Sequence, residues 1–277
     1  MFAAYRFFNL NVQRPYRWVS PATAPWARTT RRCACSCPNS SEEHLPPAIS
    51  ISNRLLVALA AENLDPLRPH FQPVSLPHKQ TLSKPGTPIE HVYFVQQGMV
   101  SLVQPLENGA MIEVGMIGNE GFVGVPVLLG AESSPLEAMV QIPGSALRMQ
   151  ASAFREEVTR RSTLLALLLR YVQALHIQVS LSAACNGRHT LPERLARWLL
   201  TARDRATSDE LPLSHEFLSM MLGVRRAGVT VAVGTLKTAG LIRNSHGRVT
   251  IIDRQGLEAA SCECYRTVRN EYERLLS

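Results

Sequence analysis

The chain has 277 residues, which is enough for about two domains with their own buried cores. Hydrophobic residues make up 45% and charged residues 18%, which excludes a disordered chain and a chain built only of coiled coil. The most apolar window, residues 163–185, contains Arg170 and His176. We expect no membrane span there, because a span needs about 20 mostly apolar residues.

The net charge of +7 is distributed unevenly along the chain. Residues 1–41 carry six Arg and no acidic residue, whereas residues 186–277 carry fourteen basic and ten acidic residues. A basic C-terminal third is typical of a part that binds a polyanion, although ordinary surface variation produces the same excess. We predict a disordered basic tail over residues 1–49; a transit peptide and a start site that the cell does not use are the alternatives.

Six cysteines are few for a disulfide-rich protein, and they indicate a reducing compartment. We therefore expect a cytoplasmic protein that does not bind membranes. Cys262 and Cys264 fall within a segment that we interpret as one helix from Leu257 to Leu276. Residues two apart on a helix point to opposite sides, so this pair is not expected to hold one ion, and we predict no metal site.

Residues 72–149 have the pattern of a β domain. Short apolar runs are bounded by turn residues, and Asn108-Gly109 between two such runs is a strong hairpin signal. Glycines recur from Gly86 to Gly130, as the corners of a small barrel require. We predict a barrel or jelly roll and assign residues 50–150 to this domain.

The hydrophobic period then changes. Mostly apolar positions alternate by four and three, which predicts a long helix over residues 151–184 that pairs with a second copy of the chain. The predicted seam consists of Phe154, Val158, Leu165, Leu168, Val172, Leu175 and Val179. A helix packed on its own domain is the alternative, and Leu164, Leu167 and Leu169 widen the apolar face in that direction.

Residues 185–277 carry the pattern of a helix-turn-helix. Thr190-Leu-Pro-Glu193 is a capping box that opens one helix, and a second cap opens another. Gly223 then supplies a turn, the next helix stops at a glycine, and a basic hairpin follows at residues 244–247. This order of elements favours a DNA-binding unit over a plain helical subdomain.

In such a unit the second helix enters the major groove and its first turns meet base edges. The residues predicted to contact bases are Arg226, Ala227, Thr230 and Val231. Arg226 is the candidate for a bidentate bond to guanine, with a phosphate contact as its alternative. The residues predicted to contact phosphates are Ser214, His215, Arg225, Lys237, Arg243 and Arg248.

Several runs of sequence carry a resemblance to a known family. They include Pro88-Ile-Glu-His-Val-Tyr-Phe94, Gly118-Asn-Glu-Gly-Phe-Val-Gly124, Ser182-Ala-Ala-Cys-Asn186 and Leu222-Gly-Val-Arg-Arg-Ala-Gly-Val-Thr230. From about residue 50 the chain resembles the Crp/Fnr family of bacterial transcription regulators. The resemblance implies an α+β protein with an N-terminal β-roll (jelly-roll-like) effector domain, a long dimerisation helix and a C-terminal winged helix-turn-helix domain. It also implies a homodimer on a near-palindromic DNA site, with RNA polymerase as a further expected partner.

In family members that bind a cyclic nucleotide, a Gly-rich loop cradles the phosphate, an Arg pairs with it and a Glu binds the ribose. The matching effector-pocket residues here are Gly121, Phe122, Gly124, Val125 and Leu136. Val125 stands where that Glu is expected and Leu136 near the place of the Arg. No Lys or Arg occurs between Lys84 and Arg148, so a buried phosphate would lack a cationic partner. We predict a degenerate pocket that does not bind cyclic nucleotide in the usual way.

Other cofactors and activities find little support in the sequence. Cys33, Cys35 and Cys37 are spaced unlike the ligands of common iron–sulfur clusters, and each candidate axial His for haem has an ordinary structural role as its simpler interpretation. We therefore predict no cofactor. The sequence contains no nucleophile elbow, phosphate loop or zinc-protease motif, and we do not expect an enzyme. The alternative function is a ligand-sensing β-roll that acts as a protein-interaction module without specific DNA binding.

Overall fold

The computed structural model describes residues 50–60 and 64–276, so the predicted tail over residues 1–49 lies outside the described residues. The strands of the larger sheet are β1 (Gln72–Leu76), β2 (Thr81–Ser83), β3 (His91–Pro105), β4 (Met111–Ile117), β5 (Phe122–Val123) and β6 (Glu137–Gln150). The helices are α1 (Arg54–Ala60), α2 (Val125–Leu128), α3 (Ala151–Arg160), α4 (Ser162–Arg188), α5 (Leu191–Arg203), α6 (His215–Leu222), α7 (Arg226–Thr238), α8 (Arg254–Ala260) and α9 (Cys264–Leu276), and a 3₁₀ helix spans Asp65–His70. A smaller sheet consists of β7 (Glu210–Leu211), β8 (Ile242–Ser245) and β9 (Arg248–Ile251).

The larger sheet is antiparallel and has the strand order β1-β6-β3-β4, with β2 paired to β6 and β5 paired to β3. Register shifts in the long β3–β6 pair bend the two strands, so that the sheet curls into the predicted roll. At one bend Gly144 meets the backbone of β3, where an added Cβ would lie 2.0 Å from the carbonyl oxygen of Gln97. Only glycine allows the two strands to approach this closely.

An aromatic cluster fills the space between the roll and the helices that follow it. Phe122 is central, with its ring centroid 5.6 Å from that of Phe94, 5.5 Å from Phe154 and 5.3 Å from Tyr171. All four rings are fully buried. Burial of each ring stabilises the fold by roughly 1.5–3 kcal/mol, so this cluster anchors α3 and α4 on the sheet.

The prediction of a single long helix over residues 151–184 is wrong, because the structure divides this segment into α3 and α4. α3 ends at Arg160, Arg161 has an extended backbone, and α4 runs from Ser162 past the predicted boundary to Arg188. Arg161 donates a hydrogen bond from Nε to Glu157 Oε2 at 2.7 Å, which holds the two helices at the break. Residues 185–188 therefore belong to the helix and not to the domain that follows.

The predicted seam needs a second correction. Phe154 and Val158 lie on α3, and together with Leu168 and Leu175 of α4 they are buried in the core of the chain itself. The other predicted seam residues, Leu165, Val172 and Val179, are half-buried. A helix that packs on its own sheet repeats apolar residues every three to four positions, just as a coiled coil does, so the period alone does not identify the partner.

α4 is long and apolar enough to cross a membrane by length and composition, whereas α6 and α7 meet that test only as a bent pair. The buried side of α4 packs on β4 and α9. Core helices of proteins without a membrane part satisfy the same test, so this helix alone does not indicate a membrane span.

The C-terminal domain is docked directly on the β-roll. Met99, Val103 and Met116 of the sheet share one hydrophobic core with Trp198 and Leu199 of α5. The two parts of the described chain therefore meet through a continuous apolar contact, and two polar links cross it.

One polar link is a buried ion pair. The guanidinium of Arg205 lies 2.6 Å (Nη2) and 3.0 Å (Nε) from Glu120 Oε1, which also accepts a hydrogen bond from the backbone N–H of Gly118 at 3.0 Å. The two side chains are only 8% and 7% exposed. The loop after α5 is thus tied to the loop between β4 and β5.

The other polar link is a buried carboxyl group. Glu113 on β4 accepts hydrogen bonds from the Trp198 indole N–H at 2.7 Å and from the Ser101 hydroxyl. Burial of this carboxyl raises its pKa to about 7, even though both hydrogen bonds and the nearby Arg197 favour the charged form.

The raised pKa of Glu113 predicts that the protein loses stability as the pH increases. The folded state holds the proton more tightly than the unfolded state, whose carboxyl titrates near the ordinary value of 4.5. The stabilisation is complete below about pH 4.5 and is lost as the pH rises through about 7, a difference of about 3 kcal/mol. Urea unfolding at several pH values is expected to show this slope, and Glu113→Gln is expected to flatten it. The exposed Glu107→Gln serves as the control, and an unchanged slope in Glu113→Gln would contradict the assignment.

Candidate DNA interface and effector cavity

Two helices of the C-terminal domain meet at a fixed angle. α6 is preceded by its N-cap Ser214, whose hydroxyl oxygen accepts a hydrogen bond from the Phe217 N–H at 3.1 Å, and it ends at Leu222 with Gly223 as its C-cap. α7 follows after a bend of 105°, which is the geometry of a helix-turn-helix. Leu218 on α6 and Val229 on α7 are fully buried and belong to the same hydrophobic core, which holds the two helices together.

The two faces of α7 differ sharply in their surroundings. The inward face, Val229, Ala232, Val233 and Leu236, is buried. The four residues predicted to contact bases, Arg226, Ala227, Thr230 and Val231, share the exposed face. Val231 is 70% exposed although it is apolar, and no described residue covers it. The structure thus brings these four side chains together at the surface, and their contact with bases stays a prediction.

The predicted phosphate contacts fall into two groups. Arg225, Lys237 and Arg243 are exposed around the α7 face, and none of them forms a side-chain ion pair within the described chain. By contrast, Arg248 forms a salt bridge with Glu210, an exposed pair that a phosphate could replace at little cost. Ser214 remains exposed while it caps α6.

His215 has a different role from the one predicted. Its Nδ1 lies 3.0 Å from the Thr230 hydroxyl, and its Nε2 lies 2.7 Å from the Asn244 side-chain amide. Because both ring nitrogens have partners within the protein, we correct its assignment from a phosphate contact to a residue that positions Thr230 and Asn244. The role of Asn244 could not be predicted from the sequence, because its contact with His215 arises only when the hairpin packs beside α6.

The basic hairpin predicted after α7 is present. β8 and β9 pair in register from Ile242–Ile251 to Ser245–Arg248. His246 and Gly247 form the two-residue turn, and both have positive φ angles, of 48° and 74°. This is the turn geometry that matches the twist of a hairpin. β7 adds a third strand beside β9, which completes a wing next to α7.

Two glycines of this motif are expected to respond oppositely to alanine. Gly223 has φ +61°, a left-handed conformation that favours glycine, whereas Gly234 is helical and an added Cβ there meets no neighbour within 4 Å. We expect Gly223→Ala to cost about 1 kcal/mol and Gly234→Ala to stabilise the protein by about 0.5–1 kcal/mol, measured by urea unfolding. Equal effects of the two changes would show that the turn does not depend on its backbone conformation.

A cavity of 240 Å³ lies between the β-roll, α2 and α4. Three of the residues assigned to the effector pocket, Gly124, Val125 and Leu136, line it, and their binding of an effector stays a prediction. The other lining residues are Ser83, Ile89, Leu102, Ile117, Val123, Pro126, Ser134, Ala138, Val172, Leu175, His176 and Val179. Among the described residues this lining contains no acid and no Lys or Arg, so the cavity offers mainly apolar contacts.

Gly121 and Phe122 do not line this cavity, which corrects their assignment. Phe122 points into the aromatic cluster. Gly121 faces the same way, because an added Cβ would lie 2.3 Å from the Tyr171 hydroxyl. Gly121 and Phe122 therefore lie on the core side, whereas the next two residues, Val123 and Gly124, line the cavity.

A cluster of sulfur and nitrogen ligands lies at the end of α4. α8 ends at Ala260 and α9 begins at Cys264, so the predicted single helix from Leu257 is broken and Cys262 lies in the connection. The prediction that Cys262 and Cys264 cannot face one point is therefore wrong. Their sulfurs, that of Cys185 and a ring nitrogen of His189 all lie within 4.8 Å of one another. A hydrogen bond from the Cys262 thiol lowers the pKa of Cys185 to about 5.

Comparison with known proteins agrees with this architecture. The profile described as "Cyclic nucleotide-binding domain" matches residues 73–161, and that described as "Crp-like helix-turn-helix domain" matches residues 193–260. Among curated proteins, the global nitrogen regulator of Synechococcus elongatus is 25% identical over 184 residues, which cover 63% of this chain and 82% of that protein. The transcriptional regulator LdrP of Thermus thermophilus is 29% identical over 183 residues, which cover 65% of this chain and 92% of that protein.

Solved structures share the fold. A CRP-family transcriptional regulator from Thermus thermophilus superposes with a TM-score of 0.58 at 21% identity, covering 68% of this chain and 96% of that one. FixK2 from Bradyrhizobium japonicum gives 0.57 at 20% identity, covering 69% and 98%. With both domain profiles in the expected order and the helix-turn-helix in place, the chain belongs to the Crp/Fnr family of DNA-binding transcription regulators.

Proposed function

We propose that the protein acts as a homodimer that reads a near-palindromic DNA site through the exposed face of α7. The observation that carries this proposal is the contrast between the two faces of that helix. Four residues on the inward face are buried, while Arg226, Ala227, Thr230 and Val231 are all exposed. A helix whose N-terminal half is uncovered beyond a 105° bend has the shape that enters a major groove.

The chemistry of that face supports direct reading of bases. Arg226 offers a forked set of donors suited to the two acceptors of guanine, and the Val231 and Thr230 methyl groups suit the methyl of thymine. Thr230 is held in place, since its hydroxyl contacts His215 and donates to the Arg226 carbonyl oxygen at 3.2 Å. A preorganised side chain loses little entropy when it binds, which favours specificity.

The charges around that face support binding to the DNA backbone. Arg225 at the N-cap of α7, Lys237 in its last turn and Arg243 on β8 are all exposed. Each phosphate contact releases counterions, so the affinity would fall steeply as the salt concentration rises. We assign these residues to phosphates, with Arg248 joining them if it leaves Glu210.

A revised seam on α4 supports the homodimer. The outward residues Leu165, Leu169, Val172, His176, Val179 and Ala183 alternate by four and three positions and are exposed or half-buried in the chain. Leu169 is 46% exposed, which is a high value for a large apolar side chain. Two copies paired along this stripe would cover it and would place two α7 helices for the two halves of a palindrome.

Selection of bound sequences from random DNA tests the proposal. We expect one near-palindromic motif for the wild-type chain, and we expect Arg226→Ala to relax one position of each half-site at a cost of about 1–3 kcal/mol. Lys237→Ala is expected to weaken binding to all sequences equally and to reduce the salt slope by about one. Arg266→Ala on the exposed side of α9 is the matched control. Absence of a motif, together with a flat salt response, would favour the protein-interaction module instead.

We also propose that the cavity does not bind a cyclic nucleotide in the usual way. Its described lining contains no Lys or Arg, and a phosphate placed there would lose its hydration without gaining a guanidinium or ammonium partner. Calorimetric titration with cyclic AMP and cyclic GMP is expected to give no binding heat at micromolar concentrations. Binding in that range would overturn this part of the proposal and leave the DNA-binding part intact. Within the same proposal the protein works in the cytoplasm, with RNA polymerase as a partner and without catalytic activity.

A further inference from the structure

We propose that Cys185, His189, Cys262 and Cys264 form a structural zinc site that fastens the end of α4 to the junction of α8 and α9. The four ligand atoms come from two segments that are about 75 residues apart in sequence and yet lie within 4.8 Å of one another. Cys₃His is one of the recurrent ligand sets of closed, tetrahedral zinc sites.

The distances between the ligand atoms fit a tetrahedron around one ion. With zinc–sulfur bonds of about 2.3 Å and zinc–nitrogen bonds of about 2.0 Å, neighbouring ligand atoms lie roughly 3.5–3.8 Å apart. The sulfurs of Cys185 and Cys262 are 3.5 Å apart, and the Cys264 sulfur is 3.8 Å from His189 Nδ1. An ideal tetrahedron would place two sulfurs about 3.8 Å apart and a sulfur and a nitrogen about 3.5 Å apart, so both edges lie within about 0.3 Å of the required length.

The local backbone explains why these residues converge. Cys185 and His189 are four positions apart at the C-terminal end of α4 and so face the same side. Cys262 lies in the short connection and Cys264 is the first residue of α9, where the broken helix lets both sulfurs turn toward α4. All three cysteines are buried, at 0%, 5% and 4% exposure.

The surroundings of His189 match those of a metal ligand. Its Nε2 lies 3.3 Å from a carboxylate oxygen of Glu263, which leaves Nδ1 directed at the sulfurs. A carboxylate that accepts the second ring N–H fixes the tautomer and orientation of a ligating histidine. Glu263 stands between two of the proposed cysteine ligands in the sequence, so one short segment would supply both ligands and their support.

The charges beside the cluster favour thiolates. One Zn²⁺ with three thiolates and a neutral imidazole has a net charge of −1. Arg194 and Arg197 are 8% and 7% exposed, and both interact electrostatically with Cys185. Within the described part of the chain, the Nε atoms of both arginines are buried without a hydrogen-bond partner. Two buried cations would offset the charge of the complex, and zinc binding would release the thiol protons to solvent.

The test is the zinc content of the full-length chain, measured by native mass spectrometry and elemental analysis after growth with zinc. We expect one zinc ion in the variant that carries Cys33→Ser, Cys35→Ser and Cys37→Ser, a background that removes the other cysteines as ligands. Adding Cys262→Ser and Cys264→Ser to that background is expected to abolish zinc binding, while Ser261→Ala is expected to retain it. Replacement of zinc by cobalt is expected to produce the visible bands of a tetrahedral thiolate complex.

A variant that keeps every ligand tests the zinc site even if a cysteine variant folds poorly. Glu263→Gln keeps every ligand and is expected to lower the zinc affinity by about 10–100-fold in competition with a chelator. The proposal is overturned by a chain without bound metal, by iron or copper in place of zinc, or by a mass lower by two hydrogens that shows a Cys185–Cys262 disulfide.

Discussion

Replacing Arg205 by methionine is expected to lower the free energy of unfolding by about 3–5 kcal/mol. Arg205 and Glu120 are both buried, and the guanidinium contacts one carboxylate oxygen with two of its nitrogens. Methionine would fill much of the space and would leave the carboxylate buried without a counterion. Leaving one buried charge unpaired costs more free energy than the ion pair contributes to stability, because both groups have already lost their hydration on burial.

Urea unfolding of three variants separates this cost from simple packing loss. Glu120→Gln combined with Arg205→Met removes both charges and is expected to recover much of the stability lost in Arg205→Met. Arg269→Met breaks an exposed ion pair with Glu273 and is expected to cost less than about 1 kcal/mol. An Arg205→Met variant no less stable than Arg269→Met would show that the buried pair does not link the two domains energetically.

Leu169→Glu is expected to separate the proposed dimer and to lower the affinity for a palindromic site by about 10²–10⁴-fold. The side chain is 46% exposed, so a carboxylate there would be hydrated in a single chain and would be buried beside its symmetry mate in a dimer. A monomer binds one half-site without the benefit of the second. Analytical ultracentrifugation measures the association, and a gel-shift titration measures the affinity.

Arg170→Glu is the matched control for this variant. Arg170 follows Leu169 directly, is exposed, and points about 100° away around the helix. Arg170→Glu places a glutamate in the same turn of α4 but outside the proposed seam. A dimer that survives Leu169→Glu, or one that both changes disrupt equally, would contradict the revised seam.

Local signals made the DNA-binding domain predictable from the sequence. The cap at Ser214, the left-handed turn at Gly223, the stop at Gly240 and the tight turn at His246-Gly247 are each determined by a few adjacent residues. The Glu193 carboxylate likewise accepts from the Thr190 N–H at 2.8 Å, as the predicted capping box requires. Features encoded over four to six residues can be recognised without tertiary context.

Features that depend on distant contacts were not predictable in the same way. The apolar period of α4 reveals an apolar face but not whether the sheet or a second copy covers it, and Leu168 proved to be buried by the chain itself. The extended backbone at Arg161 has no proline or glycine to indicate it. The Cys185–Cys262 contact joins residues 77 positions apart, so no spacing rule could identify it.

The wall of the 240 Å³ cavity has a consequence for how the regulator would respond to a small molecule. Val172, His176 and Val179 line the cavity and also lie in the stripe that we propose two copies share. Ligand binding and dimerisation are then linked equilibria. If a bound ligand strengthens dimerisation by some factor, dimerisation strengthens the binding of that ligand by the same factor. The ligand concentration that half-saturates the protein would consequently depend on the protein concentration. The expression level of the protein would therefore set its sensitivity to the ligand, without any change in the residues that bind it.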